Sequence, residues 1–368
     1  MSNDQSFYGF REQSATSNFQ SFALELVPGN KCQLKCKNCY KGSGPMPKAD
    51  GDMPTEFVRN TLWQAKQAGF SEAVFIGGEP TTHRDLPVFV RYALEIGLTP
   101  IVVTNGIRLA NAFYAAQLTL PGVTLVLHGP LPAQVQDEEV RLPGYTAKLM
   151  RAYQNVINKP GVTVVAEVVV VNEFVEHIAE MVHWCRANNV VPFVELNRRG
   201  DNGIHYANTT SPEEVFALFQ QLRANDPSPP AVLLPPTYGQ PCTMAITGLH
   251  VKNFGDGDFG GVFSCCAQHV RHGDLCQQTL VEILHDPGLE VFKNQDQWIF
   301  GPCQSCEHYS LCRGGCRGEA TLAFGCPRAS CSSCWHIPAT VRNDASVMAP
   351  PTCAGCPLLG NSACNPRR

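Results

Sequence analysis

Between residues 20 and 225 the chain alternates short apolar, β-branched runs with longer segments whose apolar positions recur every three or four residues. That alternation is what a wound parallel sheet with covering helices requires. Six runs read as strands, at 22–27, 73–76, 100–104, 123–127, 162–170 and 191–195. Helices are expected around 55–68, 86–96, 145–157 and 175–187, with another at 212–224 capped by Ser211. The pattern is a βα repeat of six units, two fewer than a closed eight-stranded barrel needs. Residues 226–241 are proline-rich and read as a semi-rigid connector. The chain therefore divides into a polar N-terminal arm (1–20), an α/β core (21–225), the connector, and a cysteine-rich, loop-rich second unit (242–368).

Length supports this division, since 368 residues exceed what one compact core usually holds. A formal net charge of −4 and a pI near 6.3 supply no global basic field, so nucleic acid is not an expected partner. The arm lacks a basic and an apolar signal region, and no apolar run reaches membrane-spanning length, so a cytoplasmic protein is expected. Eighteen cysteines in a chain of this kind point to metal rather than disulfides. Three lie in one early loop, Cys185 stands alone, and fourteen fall between Cys242 and Cys364.

The early loop spaces Cys32, Cys36 and Cys39 as C-x3-C-x2-C directly after the first strand. A structural zinc wants four protein ligands, so three thiols suggest a 4Fe-4S cluster with one iron left open to a small molecule. Gly77, Gly78, Glu79 and Pro80 follow the second strand. Alone, the thiols also suit a partial zinc site and the Gly-Gly-Glu-Pro a plain turn. In this order, each behind a strand, they resemble the radical S-adenosylmethionine (SAM) superfamily. The resemblance implies an open, partial (β/α)6 barrel with its site at the C-terminal strand ends, a SAM-binding 4Fe-4S cluster, and a Gly-Gly-Glu-Pro turn that holds the SAM amino group. There the glycines would allow close backbone approach and Glu79 would supply charge. The family's aromatic before the third cysteine is replaced by Asn38, with Tyr40 displaced beyond it. Asn105, His128, Asn172, Glu195 and Arg199 stand at strand ends where relatives approach SAM's ribose, carboxylate or adenine. His128 alternatively caps its turn, and Arg199 alternatively forms a surface ion pair.

In the second unit, Cys303-x2-Cys306-x5-Cys312-x3-Cys316 is similar to the centre of SPASM domains, which hold auxiliary iron-sulfur clusters. A zinc ribbon would account for the C-x2-C pairs at Cys303, Cys331 and Cys353 but not for the x5 and x3 gaps. The resemblance implies two auxiliary clusters. One takes Cys242, Cys266 and Cys316 with Cys276; the other takes Cys303, Cys306 and Cys312, completed by a downstream cysteine, Cys334. Cys265 competes with Cys266, and Cys326, Cys331, Cys353, Cys356 and Cys364 are surplus.

The activity implied is reductive SAM cleavage to a 5′-deoxyadenosyl radical that abstracts hydrogen from a substrate C–H bond. It requires a low-potential donor such as a flavodoxin or ferredoxin, for which Lys31, Lys35, Lys37, Lys41 and Lys48 offer a local basic patch or are merely a solvated loop. Oxidative modification or cross-linking of a ribosomal peptide is preferred over dehydrogenation or epimerisation of a sugar-like small molecule. About twenty residues before the first strand are too few for a leader-recognition domain. Sulfatase maturation is disfavoured because Cys265-Cys266-Ala267-Gln268 lacks the aspartate of those relatives. A non-catalytic iron-sulfur or zinc interaction protein would not need the Gly-Gly-Glu-Pro turn.

Overall fold

The structure is a computed structural model that describes residues 19–39, 41, 51–196, 210–226, 244–352 and 355–358. The six expected strands form as β1 (Ser21–Glu25), β2 (Glu72–Ile76), β3 (Thr99–Thr104), β4 (Thr124–His128), β5 (Thr163–Val170) and β6 (Val191–Leu196). Each pairs in parallel with the next, so sequence order is sheet order. Helices α1 (Thr55–Gln67), α2 (Leu86–Glu95), α3 (Ala112–Leu118), α4 (Ala133–Val140), α5 (Tyr145–Val156), α6 (Asn172–Val175), α7 (Ile178–Ala187) and α8 (Pro212–Asn225) follow or separate the strands. In α1 the buried positions are Val58, Thr61, Leu62 and Ala65, one face of a helix. Ser211 caps α8 in a reciprocal capping box with Glu214 and Pro212 opens the helix, all local signals.

Successive strand residues face opposite sides. Phe22, Leu24, Phe75, Val102, Leu125, Leu127 and Ala166 pack outward under the helices, while Ala23, Val74, Ile101, Val126, Val165 and Phe193 form a thin inner layer. Both faces are buried, which is why these strands read as continuous apolar runs. Toward the C-terminal ends the inner positions turn polar, at His128, Glu167 and Glu195.

The sheet continues past the core. Strand β7 (Leu249–Gly255) lies parallel to β1, pairing Phe22 with Leu249 and Leu24 with Val251, and β8 (Asp258–Phe263) and β9 (Arg271–Asp274) add antiparallel strands at that edge. The sequence pattern hides β7 because three of its residues are polar yet buried. His250 bonds Glu25 at 2.8 Å, Lys252 Nζ donates to the Gln268 carbonyl at 2.7 Å, and Asn253 Nδ2 donates to the Gly51 carbonyl at 2.7 Å. Among the described residues, no helix is long and apolar enough to cross a membrane. The N-terminal arm and the proline-rich connector lie almost wholly outside the described residues.

Candidate active site and thiol clusters

The polar strand ends open onto a cavity of about 350 Å³. Its wall brings together Cys32, Cys36 and Cys39 from the loop after β1, Gly77, Gly78 and Glu79 after β2, Asn105 after β3, His128 at the end of β4 and Glu195 on β6. Cys266, from the second unit, lines the same cavity. Asn172 does not reach it: the residue is exposed and accepts a hydrogen bond from Thr210 Oγ1. Pro80 starts the short turn Pro80–Thr82 rather than facing the space. Tyr40, Arg199 and Cys242 lie outside the described residues.

The glycines serve close packing of the chain on itself. A Cβ on Gly78 would stand 2.2 Å from the Lys31 carbonyl oxygen, and one on Gly77, whose φ is +143°, 2.6 Å from that of Val27. Only glycine lets the end of β2 lie this close to the loop that carries the thiols. Glu79, buried, then acts as a clamp. Its Oε1 accepts from Thr81 N (3.0 Å), Thr81 Oγ1 (2.6 Å) and Thr104 Oγ1 (2.6 Å), and its Oε2 from Asn105 N (2.8 Å). Burial still pushes its carboxyl above the ordinary range, against the pull of those bonds.

Asn105 passes this order onward. Its Nδ2 donates to Cys32 Sγ (3.6 Å) and Gln33 Oε1 (3.1 Å), and its carbonyl accepts from the Tyr145 hydroxyl at 2.7 Å. The same hydroxyl lies 2.9 Å from His128 Nδ1. With its one proton given to Asn105, the phenol accepts from His128, so Nδ1 carries the imidazole proton and Nε2 is left as an acceptor. Burial lowers the His128 pKa to about 4, keeping the ring neutral. Because His128 pairs with Glu167 across β4 and β5, both side chains lie on the inner face, and Glu167 joins the cavity wall.

Sequence reasoning missed Glu167, Glu139 and Tyr145. Glu139 on α4 takes Asn38 at both ends of its carboxylate, from the backbone N at 2.8 Å and Nδ2 at 3.0 Å, while the Glu139 carbonyl accepts from Lys37 N at 2.9 Å. Thus Asn38, where the family carries an aromatic, holds the cysteine loop onto α4. Glu167 had a signal of its own: a lone acidic residue inside an apolar run marks an inward strand position with a polar task. Three lysines of the expected basic patch are paired within the chain, Lys31 with Asp52 (2.6 Å), Lys37 with Glu138 (2.5 Å) and Lys41 with Glu25 (2.8 Å). Lys48 lies outside the described residues.

The donor set suits an iron-sulfur cluster. Burial, with the nearby Glu79 carboxylate, pushes the Cys32 thiol up to about 12, and burial with the neighbouring thiols raises Cys36 as well. Thiolates in such a place need a bound cation to compensate them.

A second cavity, of about 710 Å³, gathers Cys303, Cys306, Cys312 and Cys334 under α8 and the segment around Trp335. These are the four thiols expected to act together. Burial raises the thiols of Cys312 and Cys334, and Cys331 lies close enough to both to add to that rise. Arg317, fully buried, binds the carbonyls of Gly314, Pro327 and Ala329 behind this cavity, which ties the Gly314-Gly315 turn to the following loop. Cys276 and Cys316 line neither cavity: Cys276 is exposed after β9, and Cys316 is buried at the start of the helix Arg317–Phe324. The neighbouring Cys265 is buried, so Cys266 is the member of that pair that faces a cavity.

Residues 26–185 match the Radical SAM superfamily. The chain is 23% identical over 337 residues to an AdoMet-dependent heme synthase of Oleidesulfovibrio alaskensis, covering 83% of this chain and 85% of that protein. It is 24% identical over 326 residues to a PqqA peptide cyclase of Xanthomonas euvesicatoria pv. vesicatoria, covering 83% and 84%. The fold resembles that of Streptococcus suis SuiB bound to S-adenosylmethionine, with a TM-score of 0.66, 18% identity, and coverage of 86% of this chain and 78% of that one.

Proposed function

We propose that this chain, which belongs to the radical SAM superfamily and carries a SPASM-type cysteine-rich C-terminal part, is an enzyme that removes hydrogen from a C–H bond of a ribosomal peptide, with net two-electron oxidation or cross-linking as the outcome. The observation that carries the reading is one cavity lined by Cys32, Cys36 and Cys39 together with the Gly-Gly-Glu turn and polar strand ends. When bound there, a 4Fe-4S cluster held by the three thiols and SAM at its open iron supply the reductive cleavage that yields methionine and a 5′-deoxyadenosyl radical.

The chain's residues position and shield. Gly77 and Gly78 bring the β2 end against the cysteine loop, Glu79 fixes Asn105, and Asn105 steadies Cys32. His128 offers Nε2 as a hydrogen-bond acceptor suited to a ribose hydroxyl, held in place by Tyr145. Glu167 and Glu195 give the β5 and β6 side of the cavity an acidic wall. The apolar inner layer beneath keeps water from the reacting centre. Cys303, Cys306, Cys312 and Cys334, which line one cavity, would hold one auxiliary cluster, and the spacing of Cys242, Cys266, Cys276 and Cys316 supports a second. An external low-potential flavodoxin or ferredoxin supplies electrons, in the cytoplasm. Likeness to a peptide cyclase along more than four fifths of the chain supports the peptide substrate. Likeness of similar extent to a heme synthase supports a second reading, a small-molecule substrate.

The test is anaerobic, reconstituted protein with dithionite and SAM. Wild type should release 5′-deoxyadenosine, and Cys32, Cys36 and Cys39 replaced together by Ala should release none; equal release by both would refute the assignment. Turnover of a genomically neighbouring peptide in deuterated water then separates outcomes. Loss of two hydrogens supports oxidation, whereas gain of one deuterium without that loss points to epimerisation.

A further inference from the structure

We propose that Glu307, His308 and His336 form a site for a zinc-type divalent cation at the mouth of the second cavity, separate from the thiols behind it. Their ligand atoms all lie within 4.8 Å of one another. The arrangement is built by packing. The His308 and His336 rings meet edge to face, with centroids 4.6 Å apart, and both lie against Trp335, at 5.4 and 5.3 Å. Trp335 is itself stacked on Phe216 of α8, 4.0 Å away and 6° from parallel. The Glu307 carboxylate stands 3.9 Å from His308 Nε2.

Two imidazoles and one carboxylate are a set that zinc takes at about 2.0–2.2 Å, with a fourth tetrahedral position left to water or a ligand. At those lengths the donors stand about 3.3–3.5 Å apart. Glu307 and His336 are exposed, so their side chains can close the remaining distance by rotation while the backbone stays in place. The fourth position opens to the cavity, which all three residues line. The ion fastens the segment following Cys306 to the segment following Cys334, two stretches that each deliver thiols to that cavity. The proposal holds whichever metal those thiols carry.

The experiment uses iron-loaded, desalted wild-type protein titrated with zinc chloride by calorimetry, with zinc K-edge X-ray absorption on the product. One zinc per chain in a nitrogen and oxygen shell, showing imidazole scattering and no sulfur, supports the site. His308→Ala and His336→Ala should each keep their iron and bind zinc at least tenfold more weakly, since loss of a mere outer-shell partner already costs about 10–100-fold. No zinc uptake, a sulfur shell, or unchanged affinity in both variants overturns the proposal. Should either alanine variant lose iron, His336→Asn and the wild-type absorption spectrum decide in the same terms.

Discussion

Glu79→Gln distinguishes a carboxylate that clamps two strand ends from one whose task is to meet the ligand. The native carboxylate accepts four hydrogen bonds, three at Oε1 and one at Oε2. Glutamine keeps the shape but has one acceptor oxygen. In its better orientation it retains the three bonds from Thr81 and Thr104 and turns its NH2 against the Asn105 N–H. Bonds to a charged group contribute about 1.5–3 kcal/mol and neutral ones about 0.5–1.5, while a buried unsatisfied N–H costs about 1–3 kcal/mol. Relief of the buried charge, which burial already disfavours, offsets part of this. The net expected loss is about 2 kcal/mol. Because Asn105 would shift with it, and with Asn105 its bond to Cys32, release of 5′-deoxyadenosine should fall together with stability. Asn105→Ala should lower SAM cleavage in the same way, and the double variant should cost less than the sum of the two. Denaturant unfolding and SAM cleavage, measured on all three variants, check this. A Glu79→Gln protein within about 0.5 kcal/mol of wild type that nevertheless fails to bind SAM would refute the clamp and assign Glu79 to the ligand.

His128, with a folded-state pKa near 4 against 6.5 ordinarily, contributes stability that is full above pH 6.5 and is lost as pH falls toward 4. Between pH 7 and 5.5 the loss should be about 1 kcal/mol, and His128→Gln should remove that part of the pH slope in denaturant titrations at the two values. Replacing Cys303, Cys306 and Cys312 with Ala should remove about four irons and abolish substrate turnover while uncoupled SAM cleavage persists, as iron analysis and 5′-deoxyadenosine release will show. Loss of all iron would mean instead that this set is needed for folding.

Much of the core was legible locally. The βα alternation, the amphipathic faces of α1 and α5, the Ser211 capping box and the three-thiol loop are carried by residues within a few positions of one another. Periodicity and caps report such short-range physics directly. The grouping of Cys303, Cys306, Cys312 and Cys334 in one cavity was likewise legible from spacing and the resemblance. Other features were decided by contacts that close only when the chain folds. Glu139 clamps Asn38 from 101 residues away, and His250 meets Glu25 across 225. Glu79, expected from the sequence to meet a small molecule, lines the cavity, and only the fold shows that its carboxylate also accepts from Thr81, Thr104 and Asn105 and that the glycines before it make room for Lys31 and Val27. Strand β7 escaped notice because His250, Lys252 and Asn253 are polar. A polar side chain can be buried only where a partner replaces water. That partner lies far along the chain, so local pattern determined which segments are strands and helices, while tertiary structure decided which polar residues face the cavity and which are spent holding it together.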